Sequence, residues 1–356
     1  WVVEGSVLQS ANRLQVVAQL IDARTDAHLW AADYLVDLGE LLPLQNEIAA
    51  RLAAAIGAGL GAAAAPQLTL APQAMREYLR GRQLIALRTM ASLTDAARLF
   101  ESVAAAAPDF ACAFASLAEA EMLLAHYGAP DVPRLVAQSG RHAEQALAIE
   151  PGLAIALSAR SALRFFFLGD PDGAAVDAGQ ALAQSPSHAL AMVSAANVCA
   201  ARRDFAAATG WMEAALLVEP VDVGLNMNFG DHMILQRRFD AAIHAFERAL
   251  ELAPGHRPSQ LRASWAYALS GAAAAARRML AAAAPAEGSD AVWLEYAALV
   301  AAATGDTHEA ARHADALEQI ARERPVAPWA LARAAAAAGR FEAARALARR
   351  QPSGTD

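Results

Sequence analysis

Proline spacing is the strongest constraint on what this chain can become. Pro254, Pro220 and Pro186 stand at equal intervals, Pro151 follows at nearly the same step, and Pro108 at a longer one. An apolar pair precedes most of them: Ala249-Leu250, Ala215-Leu216, Ala181-Leu182 and Ala146-Leu147. Small residues recur at a matching offset, as Ala242, Ala208, Ala174 and Ala96, and Phe239 and Phe205 share one aromatic position. Within one period, Val223–Pro254, two amphipathic helices are legible. Leu225, Phe229 and Met233 line the first, with Gly230 leaving room for a close neighbour. Ala242, Phe246, Ala249 and Leu250 line the second, and Gln236-Arg237-Arg238 turns between them. Proline ends the second helix because it lacks an N–H and crowds the preceding turn. A solitary hairpin of this kind cannot cover both apolar faces, so the pattern demands stacked copies.

Period, small-residue spacing and terminal proline together resemble the tetratricopeptide repeat over residues 73–350. The resemblance implies a mainly α fold, a tetratricopeptide-type α-solenoid of about eight helical hairpins. They are expected to end near 108, 151, 186, 220, 254, 285, 322 and 350. Gly169, Gly305 and Gly339 mark inter-helix turns. Asn226 fills the family's early tryptophan position, and the long step from Pro108 to Pro151 carries an insertion near Gly128–Pro133.

Positions 1–60 follow another rule. Leu14, Val16, Ala18 and Leu20 alternate with polar neighbours, the period of a half-covered strand. Val2–Gln9 reads as its hairpin partner across Ser10-Ala11-Asn12, and His28–Tyr34 as a third strand. A helix is expected from Pro43, with Leu44, Ile48, Leu52, Ile56 and Leu60 on one stripe. Val3-Glu4-Gly5-Ser6-Val7, Val17–Ala23, His28-Leu29-Trp30-Ala31 and Leu44–Ala49 are similar to the second half of an FlgO-like or TolB-N-terminal-like α/β domain. The resemblance implies that the first half of that domain lies upstream of Trp1. It also leaves part of the sheet uncovered, unless the sheet leans on the repeats. Residues 61–72, with Pro66 and Pro72, read as a linker, and 351–356 as a polar tail.

Composition narrows the chemistry. All 29 basic residues are arginine, which excludes the phosphate-loop lysine, the kinase strand lysine and Schiff-base cofactors. The net charge of −8 argues against direct nucleic-acid binding by this segment. Cys112 and Cys199 fall in expected first helices and read as small core residues. No apolar run is long enough to span a membrane. His308 and His313 stand at i and i+5, the wrong spacing for a zinc-binding helix. Catalytic, cofactor and metal residues are therefore expected to be none, and the chain is not expected to be an enzyme.

In a tetratricopeptide solenoid the first helix of each hairpin lines a concave surface used for peptides. Alignment on the terminal prolines assigns that surface to Arg160, Leu163, Phe166, Val193, Asn197, Met227, Asn228, Asp231, Ile234 and Trp265, with Phe167 and Glu295 alongside. The Phe165-Phe166-Phe167 run also reads as packing between repeats. Arg202-Arg203, Arg237-Arg238 and Arg277-Arg278 are expected at or near inter-helix turns, either solvated or as a ridge for an acidic partner.

The two resemblances together imply a regulatory, protein-binding segment of a bacterial signalling protein. Its output domain, a winged-helix DNA-binding domain or a class III nucleotide cyclase, would lie upstream, in the cytoplasm. The alternative is a periplasmic or envelope assembly scaffold. A protein or peptide partner is expected, and self-association is left open.

Overall fold

The structure is a computed structural model and describes residues 1–57, 69–129, 131–285, 290–323 and 326–349. Leu60, most of the expected linker and the tail lie outside the described residues. Contacts divide the chain into two compact units, Trp1–Arg80 with Ser102–Phe110, and Gly81–Glu101 with Ala111–Asp356.

The first unit begins with three antiparallel strands in the order β1 (Val2–Ser10), β2 (Arg13–Asp22) and β3 (Ala27–Asp37). The third strand is longer than its sequence pattern suggests. Val3, Gly5 and Val7 face Leu20, Ala18 and Val16, so the apolar alternation of β2 continues across the sheet. Leu14, Val16, Ala18 and Leu20 are buried, whereas every residue of β1 is exposed. Helix α1 (Leu41–Ala55) packs against β3, and Pro43 lies inside its first turn. Of the stripe expected on α1, Leu44 is buried, Ile48 and Leu52 are half-buried, and Ile56 is exposed. The sheet's apolar face therefore extends beyond its cover at β1.

Sixteen further helices follow among the described residues, joined by short turns into eight consecutive pairs. They are α2 (Pro72–Ala86) with α3 (Met90–Ala106), α4 (Ala111–His126) with α5 (Val132–Ile149), and α6 (Ala154–Phe166) with α7 (Pro171–Gln184). Next come α8 (Ala189–Ala201) with α9 (Phe205–Val218), and α10 (Val223–Leu235) with α11 (Phe239–Leu252). The last are α12 (Arg257–Leu269) with α13 (Ala273–Ala282), α14 (Ala291–Ala303) with α15 (Thr307–Glu323), and α16 (Pro328–Ala337) with α17 (Phe341–Ala348).

Each terminal proline stands just past its helix end, as the steric argument requires. The long step from Pro108 to Pro151 arises mainly because α4 and α5 have 16 and 18 residues, against 13 and 14 in α10 and α11, and the turn between α4 and α5, at the expected insertion, is longer as well. The turn inside each later pair repeats one backbone device. Gly169, Arg203, Arg237, Gly271, Gly305 and Gly339 all have positive φ, and they recur once per repeat at a constant interval. Arg203 and Arg237 thus hold a left-handed position that glycine fills elsewhere. The next residue caps the second helix in several pairs. Asp170, Asp204 and Asp306 accept hydrogen bonds from Gly173, Ala207 and Glu309 N–H groups.

The pairs interlock through small residues. A Cβ placed on Gly230 would stand 2.4 Å from Cε1 of Phe246, and one on Gly81 would stand 2.6 Å from Cε1 of Phe100. Ala96, Ala174, Ala208 and Ala242 are fully buried. Between successive pairs, Met192, Val193 and Ala196 of α8 pack with Met212 of α9 and Leu225 of α10. Asn226, at the family's tryptophan position, is buried and donates to the carbonyl of Asp222 at 2.8 Å. It fastens α10 to its own entry turn where tryptophan would supply bulk.

Candidate functional site

The first helices carry a chain of polar contacts from one pair to the next, all within the second unit. Asn197 of α8, Asp231 of α10 and Trp265 of α12 occupy one register position in successive repeats. Each engages a residue on a later first helix. Asn197 Oδ1 lies 3.0 Å from His232 Nε2. Asp231 Oδ2 accepts from Arg262 Nε at 3.0 Å. Trp265 lies under the Arg333 guanidinium, 4.7 Å from the ring centroid, and Tyr296 flanks the same cation at 5.3 Å. Arg333 Nη1 also stands 2.8 Å from Glu295 Oε1, while its Nη2 is buried without a hydrogen-bond partner among the described residues.

Burial governs the electrostatics of this chain of contacts. It pushes the Glu295 carboxyl upward, with Arg333 and Arg262 partly opposing. It lowers His232 and raises Tyr296. For Arg262, burial alone would weaken the cation. Tyr296, Asp231 and Tyr127 reverse that and hold it firmly charged. His126 is driven down to about 4, by burial first and by the charge of Arg262 second.

The remaining expected groove residues differ in burial and pairing. Leu163 and Met227 are buried, and Val193 and Ile234 nearly as fully. Arg160 is half-buried and bound to its own array. Its Nη2 lies 2.7 Å from Asp177 Oδ1 and its Nη1 2.8 Å from Glu144 Oε1, and Arg164 reaches the same Asp177 carboxylate at 2.9 Å. Phe166 is 37% exposed, whereas Phe167 is buried. Asn228 is half-buried, and its amide has no hydrogen-bond partner among the described residues.

Other sequence expectations need correction or a different emphasis. Arg277-Arg278 lies in the middle of α13, because that pair's turn falls at Gly271 and its second helix starts at Ala273. Arg237 and Arg238 border an open depression with Phe239 and Asp240. His313 pairs with Glu309 at 3.6 Å and packs edge-on against Trp293. No group of three or more metal-binding side chains occurs among the described residues, nor does any helix long and apolar enough to cross a membrane.

Sequence reasoning missed Arg262, Tyr296 and Arg333. Asn228, Arg262 and Tyr296 share one register position, so the period itself could have found two of them. His126 and Tyr127 precede the insertion and lie outside that register.

No family model matches the chain. A stretch of 121 residues is 33% identical to a protein of Rhizobium meliloti (strain 1021) described as putative adenylate cyclase 3. That stretch covers 33% of this chain and 21% of the relative, so the chain spans about a fifth of the curated relative it matches. Among solved structures, the human IFIT1 dimer with m7Gppp-AAAA superimposes with a TM-score of 0.57 at 14% identity, over 88% of this chain and 78% of that one. A tetratricopeptide repeat protein of Parabacteroides merdae gives 0.45 at 13% identity, over 74% and 99%. The fold of this chain is a tetratricopeptide-type helical array following a small three-stranded antiparallel sheet.

Proposed function

We propose that this chain is a non-catalytic, protein-binding and regulatory segment of a bacterial signalling protein, working in the cytoplasm beside a nucleotide cyclase or transcriptional output domain. The relative described as a putative adenylate cyclase supports the signalling context. The order of three strands and a helix between Val2 and Ala55 supports the FlgO-like or TolB-N-terminal-like reading of that segment. The partner is a peptide or protein that meets the inner positions of the first helices.

The observation that carries the binding site is the half-buried Asn228, whose amide has no hydrogen-bond partner among the described residues, beside a register of polar and aromatic side chains running through Asn197, Asp231 and Trp265. A half-buried amide can pair with the backbone of an extended segment through one donor and one acceptor. The test is affinity capture from a bacterial lysate with the purified chain, comparing the parent with Asn228→Ala and Trp265→Ala. Reduced yield of the same captured proteins is expected. Parental yield from both variants removes the inner-face assignment.

A further inference from the structure

Three contacts in the second unit join residues far apart in sequence. His256 Nε2 lies 2.8 Å from the carbonyl oxygen of Leu87. The Arg262 guanidinium lies over Tyr127, 5.9 Å from the ring centroid. The third contact is aromatic and belongs to the last hairpin. Trp329, in the first turn of α16, stacks on His126 at the end of α4, with centroids 5.7 Å apart and planes at 26°. The same indole meets Phe167 edge-on at 5.9 Å, and His126 in turn packs on Phe166 at 4.6 Å. Backbone follows side chain here, since a Cβ on Gly128 would stand 3.9 Å from Ala327 Cβ.

We propose that Trp329 is a cis-acting plug. It fills an aromatic socket formed by His126, Phe166 and Phe167, and it holds the array closed on its inner side until the indole leaves that socket.

Two features make the plug separable from the hairpin that carries it. Helix α16 is fastened to its neighbours by other means: Ala334 joins a core with Leu294, Ala298 and Leu317, and Arg333 stands by Glu295. Its remaining apolar residues are nearly all alanine, so Trp329 supplies its aromatic surface. Helix α17 has eight residues, and Ala344 alone is buried there, so the outer helix of this pair adds little to its anchorage. The socket residues stand at helix ends. Tyr127 and Phe167 N–H groups bond to the Leu123 and Leu163 carbonyls at 2.9 and 3.0 Å, and amides in such last turns fray when their cover leaves.

The test is hydrogen–deuterium exchange with small-angle scattering on the full chain, for the parent, Trp329→Ala, Trp329→Phe and His126→Ala. Trp329→Ala is expected to speed exchange tenfold or more at Tyr127–Gly128 and Phe167–Leu168 and to raise the radius of gyration. Protection in α14 and α15 stays parental. His126→Ala, which attacks the socket from the other side, gives the same pattern, and Trp329→Phe stays closed. Parental exchange at both segments in Trp329→Ala overturns the proposal. So does loss of protection spreading through α14 and α15, which makes Trp329 an ordinary core residue.

Discussion

Glycine-to-alanine substitutions at Gly230 and Gly210 should move stability in opposite directions. Both glycines lie inside helices, α10 and α9, where alanine gains about 1 kcal/mol over glycine in intrinsic propensity. What differs is the space above the backbone. Nothing lies within 4 Å of a Cβ built on Gly210, which is exposed. On Gly230 the new methyl would meet Cε1, Cζ and Cδ1 of Phe246 at 2.4, 2.6 and 2.9 Å. Carbon atoms attract best at about 3.5–4.0 Å, so the overlap approaches an ångström at three ring atoms. Phe246 is fully buried and packs with Met233, Ala242 and Ala263, so the ring cannot retreat without moving its neighbours. Overpacking of this kind costs about 1–3 kcal/mol, which exceeds the propensity gain over most of its range. Gly210→Ala should therefore stabilise by about 0.5–1 kcal/mol, and Gly230→Ala should destabilise by up to about 2 kcal/mol. Urea unfolding followed by circular dichroism reads both midpoints. A Gly230→Ala midpoint at or above the parent would refute the close-packing argument, and with it the same argument for Gly81 against Phe100.

Two other perturbations test the electrostatics. Asp177→Asn leaves Arg160 and Arg164 without the buried carboxylate they share, and urea midpoints should show a loss of about 3 kcal/mol. Glu342→Gln, at an exposed pair with Arg345, should cost less than about 0.5 kcal/mol. Stability should also fall as pH drops from about 6.5 towards 4. The folded chain keeps His126 neutral down to about 4, whereas the unfolded chain protonates it near its ordinary value. The groups facing His126 are Arg262 and Arg88, which oppose its protonation, and Asp231, which favours it. Burial lowers His232 and His256 as well, so they add to the same slope. His126→Phe preserves the ring stack and should flatten the slope by at most about 1.4 kcal/mol per pH unit. An unchanged pH profile in that variant would show that His126 titrates normally.

The stacked pairs were legible because one solution is written repeatedly. Pro186, Pro220 and Pro254, the small residues at Ala174, Ala208 and Ala242, and Gly230 against Phe246 each state the same packing rule. The strands were legible from the alternation around Leu14–Leu20, since one face alone is covered. The extent of that cover was not. Ile56 continues the stripe on α1 yet stays exposed. The inner positions were half legible. Asn197, Asp231 and Trp265 share a register, whereas the burial of Leu163 and Met227 depends on packing that the period does not specify. The contact of Trp329 with His126 left no trace in the sequence, because two single residues on distant hairpins carry no period.

An array of stacked hairpins has no inherent reason to melt as a unit, since each layer touches the next and nothing else. The bond from His256 to Leu87 and the aromatic seat of Trp329 change that arithmetic. They join early layers to late ones, a connection that nearest-neighbour stacking does not supply. Two side-chain contacts thus add long-range order to what would otherwise be a sum of adjacent layers.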